Sequence, residues 1–168
     1  IDLKGKYGKK LIGLKLNGVN LSGTDLSDMD LSKSEFTRVN FTQANLDNTT
    51  LSGATIQDSD FSEVKFIGAN LSGIDFQASV FRSTTFDNVN LSGANLEDSD
   101  ITNAHITNSK FDGANLKKAT LKDAIINNTT LQKSSMLLAN LKGVNIANTT
   151  FFGSDIRKSN WSESKINT

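Results

Sequence analysis

The 168-residue sequence contains no cysteine and no proline, and it has one histidine. The lack of cysteine excludes disulfides and thiolate metal sites. Because proline is absent, every backbone N–H can donate a hydrogen bond, as a chain with extensive backbone ladders requires. The one histidine, His105, is flanked by nothing that resembles a catalytic or metal-binding motif. A lone histidine of this kind is typically a solvated surface residue.

The sequence also lacks an excess of charge and a long apolar run. Eighteen basic and 18 acidic residues give a formal net charge of zero. Nucleic-acid-binding proteins are usually basic, so we expect no direct nucleic-acid binding. No apolar run could span a bilayer and no signal peptide is visible. We therefore expect a cytoplasmic protein, with a secreted effector as the alternative.

What the sequence has instead is an uninterrupted five-residue repeat. From Leu11 to Ile166 every fifth residue is large and apolar, and these 32 positions hold only Leu, Ile, Phe, Met and Trp. Two residues before each lies a small-residue position, and Ala, Ser or Thr fill 23 of the 31 such positions from Leu14 to Ser164. A repeat this regular determines the architecture more reliably than local propensities do.

A period of five suits neither an α-helix nor a flat strand. On a helix the large residues would wind around the axis, and on a strand they would alternate between faces. They lie together if the chain bends by about 90° once per unit, so that four units close a coil of 20 residues. Eight such coils, stacked at strand spacing, predict a rod roughly 38 Å long.

Turn residues agree with one bend per unit. Eleven of the 12 glycines, all but Gly5, fall in one phase of the repeat, two positions after the large-residue position, and several asparagines share that phase. Glycine and asparagine tolerate the positive φ of a type II turn. We expect a type I-like turn where this position holds another residue, as at Arg38, Asp58, Asp98 and Lys118.

Several units match the pattern A(D/N)Lxx, and the chain thereby resembles the pentapeptide-repeat proteins. The matching units begin at Ala44, Ala69, Ala94, Ala114 and Ala139. The resemblance implies an all-β fold, a right-handed quadrilateral β-helix of about eight coils. We expect residues 1–10 to form an irregular N-terminal cap and residues 11–168 to form the β-helix.

Residues 20 apart should stack on one face of the rod. We number the faces by their large residues: face 1 runs from Leu16 to Ile156, face 2 from Leu21 to Trp161, face 3 from Leu26 to Ile166 and face 4 from Leu11 to Phe151. Face 1 and its following corner are acidic in the N-terminal and middle coils, then basic at Lys117, Lys118, Arg157 and Lys158. The candidate acidic face comprises Glu35, Asp58, Asp75, Glu97 and Asp98. It is either a solvated surface or half of a bipolar docking surface.

Few apolar residues fall at outward positions. Leu137, Leu138 and Phe152 do so near the C-terminal end, and they form a candidate protein interface. The repeat runs through Ile166 without a visible cap. Either the chain forms a homodimer through that end, or these residues are part of a longer protein.

No sequence feature points to catalysis. Outward residues of a convex rod diverge, whereas an active site needs dissimilar groups that converge. We therefore expect no enzymatic activity, no cofactor and no metal site, and predict a scaffold that binds unidentified protein partners. The alternative, implied by the family resemblance, is a DNA mimic that binds DNA gyrase and protects it from quinolones. The neutral charge, and the lack of the loop insertions and terminal dimerisation helix typical of that subgroup, disfavour this alternative.

Overall fold

The computed structural model describes residues 2–167 as a short helix followed by stacked four-sided coils. Helix α1 spans Leu3–Tyr7. Nine strands of three residues follow: β1 Lys15–Asn17, β2 Glu35–Thr37, β3 Thr55–Gln57, β4 Lys65–Ile67, β5 Thr85–Asp87, β6 His105–Thr107, β7 Ile125–Asn127, β8 Asn145–Ala147 and β9 Lys165–Asn167. All strand pairs are parallel, and each residue is aligned with one 20 positions later, as in Leu16 with Phe36. The predicted four-sided parallel β-helix is confirmed.

The three-residue strands lie on two opposite faces. Strands β1 to β3 form a sheet on face 1, and β4 to β9 form a sheet on face 3. Elsewhere successive coils are joined by single parallel bridges, such as that between Asn20 and Asn40. Backbone ladders therefore run along the rod on all four sides.

Every described corner from Gly13 to Glu163 has a positive φ, whichever residue occupies it. The prediction of type I-like turns was wrong, because φ is 53° at Arg38, 49° at Asp58, 58° at Asp98 and 57° at Lys118. The corner amide bonds to the next coil, as from the Arg38 N–H to the Gln57 carbonyl at 3.1 Å. The ladder thus fixes the backbone of the corner, and the side chain adapts to it.

The corners are of two kinds, which differ in the acceptor that pairs the N–H of the small-residue position. At a tight corner the turn closes on itself, as from the Thr24 N–H to the Leu21 carbonyl at 3.1 Å. After strands β2, β3, β5 and β6 the equivalent N–H reaches a hydroxyl of the next coil instead, as from Val39 to the Ser59 Oγ at 3.1 Å. At these corners the small-residue position of the next coil supplies the acceptor that the turn does not.

The core is a column of large side chains, as the repeat predicts. The fully buried phenylalanines are Phe36, Phe41, Phe61, Phe66, Phe76, Phe81, Phe86 and Phe111. Phe41, Phe61 and Phe81 stack face to face with centroids 4.6 and 5.2 Å apart. Aromatic rings in register thus fill the wide middle of the column.

Burial is incomplete at both ends, where the repeat predicts core residues. Leu11 and Leu16 are half-buried in the first coil. In the last coil Ile156 and Ile166 are 51% and 52% exposed. A core residue of a solenoid is covered by the coils on both sides, and an end coil has only one neighbour.

Candidate interaction surface

Many outward polar side chains have a structural task. Asn or Asp immediately before a large residue accepts a hydrogen bond from the N–H two positions later, as Asn70 does from Ser72 at 3.2 Å. Asp60 accepts from both the N–H and the hydroxyl of Ser62, at 2.9 and 2.6 Å. This explains the (D/N) of the repeat unit, because the side chain pairs an N–H that the tight turn leaves free. Such residues are weak candidates for recognition.

Residues of the candidate acidic face form ion pairs and hydrogen bonds with neighbouring coils. Glu35 pairs with Lys15 at 2.8 Å, and Asp98 lies 4.0 Å from Lys118. Asp75 accepts from the Asn95 amide at 2.9 Å. Asp58 occupies an exposed corner of the same side. The residues thus line one side of the rod without converging on a point.

Glu97 lies where the acidic part of face 1 meets the basic part. Its carboxylate pairs with Lys117 at 2.9 Å and accepts from the Asn115 amide at 3.2 Å. These contacts, with the Lys117 hydrogen bond the largest cause, lower the pKa of Glu97. The same pair raises the pKa of Lys117. The carboxylate of Glu97 and the ammonium group of Lys117 are therefore already paired within this chain.

The candidate apolar residues lie on two successive faces. Leu137 is half-buried on face 1, and Leu138 is 46% exposed at the corner between faces 1 and 2. We call these two residues the leucine ridge. Phe152 is 79% exposed and lies on face 4, one coil further on. The sequence hypothesis also placed Phe152 on the face next to the two leucines, and a single interface formed by all three residues stays a prediction.

Leu138 is unusual for its position. Its φ is 60°, in the left-handed region that disfavours residues with a Cβ. Apart from Ala78, it is the sole apolar residue other than glycine at a corner within residues 11–167. Both the turn and the solvent disfavour a leucine here, and such costs are found where a side chain has another use.

Basic residues surround the leucine ridge above and below. The Leu137 carbonyl accepts from the Lys118 N–H at 2.9 Å, and the Leu138 N–H donates to the Arg157 carbonyl at 3.1 Å. These ladder bonds place Lys117 and Lys118 one coil before the ridge and Arg157 and Lys158 one coil after it. The Arg157 guanidinium pairs with Asp155 at 2.8 Å, which lowers the pKa of Asp155 to about 2. The ridge is thus an apolar strip in a basic setting.

The charge pattern extends beyond one face. Residues 20–100 contain 13 acidic and four basic side chains, whereas residues 101–168 contain four acidic and nine basic ones. The zero net charge conceals this segregation. The repeat pattern predicted the segregation on face 1 alone, although the charges of the whole chain divide in the same way.

The two ends of the rod differ in shape. The last coil presents Phe151, Ile156, Trp161 and Ile166 as an apolar end surface. The first coils leave a cavity of about 390 Å³ beneath α1, lined by Leu3, Tyr7, Leu11, Leu14, Leu16, Val19 and Leu21. This cavity was not predicted from the sequence, because it depends on how α1 packs against the first coil.

The described part of the chain has neither a metal-binding cluster nor a membrane-spanning helix. Residues 2–167 contain no group of three His, Asp or Glu side chains placed to hold a metal ion. No helix within the same span is long and apolar enough to cross a membrane. The outward side chains diverge around a rod, an arrangement that suits surface recognition.

Comparisons with known proteins agree with the fold. The sequence profile described as "Pentapeptide repeats (8 copies)" matches residues 11–58, and that described as "Pentapeptide repeat region" matches residues 54–124. No match was found among curated protein sequences.

Among solved structures, the chain is similar to HetL from the cyanobacterium Nostoc sp., a pentapeptide repeat protein involved in heterocyst differentiation regulation. The two are 19% identical with a TM-score of 0.51, and the match covers 93% of this chain and 86% of HetL. A second match is full-length QnrB1, a plasmid-mediated fluoroquinolone resistance protein, at 17% identity and a TM-score of 0.49, covering 94% of this chain and 93% of QnrB1. The repeat, the two profiles and the four-sided parallel coils together establish that the chain belongs to the pentapeptide-repeat family.

Proposed function

We propose that this protein is a non-catalytic scaffold that binds protein partners through the leucine ridge and the basic residues around it. The observation that carries the proposal is Leu138, an exposed leucine in a left-handed corner between two basic coils. Apolar residues that are rimmed by charge typically mark protein interfaces. The backbone ladder already holds the ridge in place, so that little conformational entropy is lost on binding. Phe152 could contribute to a partner that reaches around the corner to face 4.

Affinity capture with paired variants tests the proposal. The double variant Leu137→Asp/Leu138→Asp should lose partners that the wild-type protein retains. Ile125→Asp is the matched control, because Ile125 is a comparably exposed aliphatic residue on face 3. If the double variant retains every partner, the leucine ridge is not the interface. Thermal melting of both variants shows whether the rod remains folded.

We further propose that the apolar C-terminal end supports a homodimer. Phe151, Ile156, Trp161 and Ile166 would cover one another in an end-to-end contact between two copies. Trp161 is the only tryptophan in the sequence, so its fluorescence reports on this end alone. Its emission should shift to the blue as the concentration rises, and Ile166→Asp should abolish the shift. A monomeric mass at all concentrations in sedimentation would refute the dimer.

An alternative function is DNA mimicry directed at DNA gyrase, and one observation favours it. The 13 acidic side chains of residues 20–100 give this stretch the negative charge that a basic DNA-binding groove attracts. The basic C-terminal coils oppose it, and this is why we rank the scaffold first. A supercoiling assay decides between the two. Inhibition of gyrase, or its rescue from a quinolone, would favour the DNA mimic, and no effect at excess protein would exclude it.

A further inference from the structure

We propose that the cavity beneath α1 binds the alkyl chain of a single-chain anionic amphiphile, of the kind represented by long-chain fatty acids. This ligand site is separate from the leucine ridge and from the C-terminal end. The inference rests on the shape of the cavity, on its lining and on the charges around it.

The cavity is apolar and large enough for an aliphatic chain. Its volume of about 390 Å³ falls within the range of small-molecule sites, and every lining side chain is hydrophobic or aromatic. Leu11, Leu14, Leu16 and Val19 are only half-buried there, so apolar surface is left for a ligand to cover. Val39 and Ile74, which occupy the positions equivalent to Val19 and Leu14 further along the rod, are fully buried because coils cover them on both sides.

Helix α1 lies over the cavity and contributes Leu3 and Tyr7 to its lining. The Lys4 ammonium holds the helix against the next coil, at 3.0 Å from the Asp25 carboxylate and 2.6 Å from the Ser27 hydroxyl. The Asp2 carboxylate accepts from the Gly5 N–H at 2.7 Å and caps the helix. The covering element is thus held by a few polar contacts at its side and by Leu3, which is half-buried against the core.

One ammonium group near the cavity is left without a carboxylate partner. Residues 1–19 contain five lysines, of which Lys4, Lys9 and Lys15 pair with Asp25, Asp28 and Glu35. The Lys6 ammonium lies 5.0 Å from the centroid of the Tyr7 ring, which lines the cavity and is 53% exposed. Lys6 forms no ion pair within residues 2–167. An apolar cavity beside this ammonium group complements a molecule with an alkyl tail and a carboxylate head.

Calorimetric titration with saturated carboxylates from octanoate to tetradecanoate tests the proposal on the whole chain. Each added methylene should tighten binding about fourfold until the cavity is full, after which the affinity should level off. Alkyltrimethylammonium ions of the same lengths should bind more weakly, because their heads repel the lysines. Equal affinity for both head groups, or no binding below the micelle concentration, would overturn the proposal.

Two natural reporters locate the ligand. Tyr7 is the only tyrosine and lines the proposed site, whereas Trp161 is the only tryptophan and lies at the opposite end. Bound decanoate should shift the ring proton resonances of Tyr7 and leave the indole N–H of Trp161 unchanged. The reverse result would place the ligand on the C-terminal end and refute the assignment.

Variants separate the tail from the head. Lys6→Glu should weaken decanoate binding several-fold without lowering the melting temperature, because Lys6 lies at the surface. Leu14→Asp should abolish binding, and Ile166→Asp at the other end is the control that should bind as the wild type does. If the Leu14→Asp variant is folded and binds decanoate with unchanged affinity, the proposed site is refuted. Binding to anionic phospholipid vesicles, but not to free decanoate, would show a membrane surface contact and would also overturn the proposal.

Discussion

At the scale of single residues, the repeat unit divides its tasks by position. The large residue fills the column, and the small residue two places earlier lets the coil close around it. The Asn or Asp between them points outward, yet its Oδ1 pairs the N–H of the next turn, as Asn90 does for Ser92 at 3.1 Å. An outward polar residue in this fold is therefore first a part of the turn.

Replacement of Asn90 by alanine tests this role. We expect a loss of about 1 kcal/mol in the free energy of unfolding, because the Ser92 N–H would lose its acceptor. Chemical denaturation measures the change. Thr50→Ala is the control, since Thr50 occupies the equivalent position two coils earlier on face 4. A control loss as large as that of Asn90→Ala would contradict the hydrogen-bond role.

Leu138 gives a prediction of opposite sign. Leu138→Gly should raise the free energy of unfolding by about 1 kcal/mol, because glycine adopts a φ of 60° without the steric cost of a Cβ. The same change should weaken capture of partners. Thermal melting and affinity capture measure the two effects, and Lys33→Gly, at a corner with a φ of 58° far from the leucine ridge, is the control that should stabilise without loss of partners. A Leu138→Gly variant that is more stable and still captures every partner would show that Leu138 is not part of the interface.

At the scale of elements, the three-residue strands and the tight corners are alternative ways to pair the same N–H groups. After strands β2, β3, β5 and β6, a buried hydroxyl from the next coil replaces the turn's own carbonyl. Ser109 does so for Val89 at 3.1 Å, and its hydroxyl donates to the Thr107 carbonyl at 2.7 Å. The choice between Ser or Thr and Ala at the small-residue position therefore matters on some faces more than on others.

Ser109→Ala should cost about 1–3 kcal/mol of unfolding free energy, since it leaves the buried Val89 N–H without an acceptor. Ser99→Ala is the matched control. Ser99 is equally buried, but the N–H of Ser79, one coil earlier, bonds to the Phe76 carbonyl at 3.1 Å and needs no hydroxyl. Equal losses for the two serines, measured by denaturant unfolding, would show that the corner type makes no difference.

The sequence predicted the architecture well because one period governs the whole chain. The four-sided coil, the 20-residue register and the buried phenylalanines all follow from the position of residues such as Phe61 within the repeat. Corner geometry did not follow, because the ladder between coils imposes a positive φ even on Arg38 and Asp58. The cavity beneath α1 was missed because it depends on how residues outside the repeat pack against the first coil.

At the scale of the whole molecule, each coil contacts only the coils before and after it. Stability then depends on continuous stacking along the rod, and a break in the middle separates two halves. Phe61 is the most connected ring of the column, with Phe41, Phe66, Phe76 and Phe81 at centroid distances of 4.6–5.7 Å.

Phe61→Ala should therefore cost about 3–5 kcal/mol, because it opens a cavity in the middle of the stack. Unfolding should become broader as the two halves lose their coupling. Phe151→Ala is the control, since Phe151 is half-buried in the last coils and should cost less. Calorimetry distinguishes these outcomes. A single sharp transition of unchanged midpoint in Phe61→Ala would show that the column does not depend on this ring.

The attachment of α1 to the rod should depend on pH. The hydroxyl and N–H of Ser27, with Lys4, lower the pKa of Asp25 from 3.8 to about 2. A carboxylate whose pKa is lower in the folded state stabilises fully above pH 3.8, and this contribution is lost as the pH falls through about 2. Amide exchange of residues 3–7 should therefore accelerate over this range in the wild type. In Asp25→Asn, exchange should already be fast at neutral pH and should change less on acidification, because no carboxylate is left to protonate. The same pH dependence in both proteins would show that Asp25 does not hold the helix.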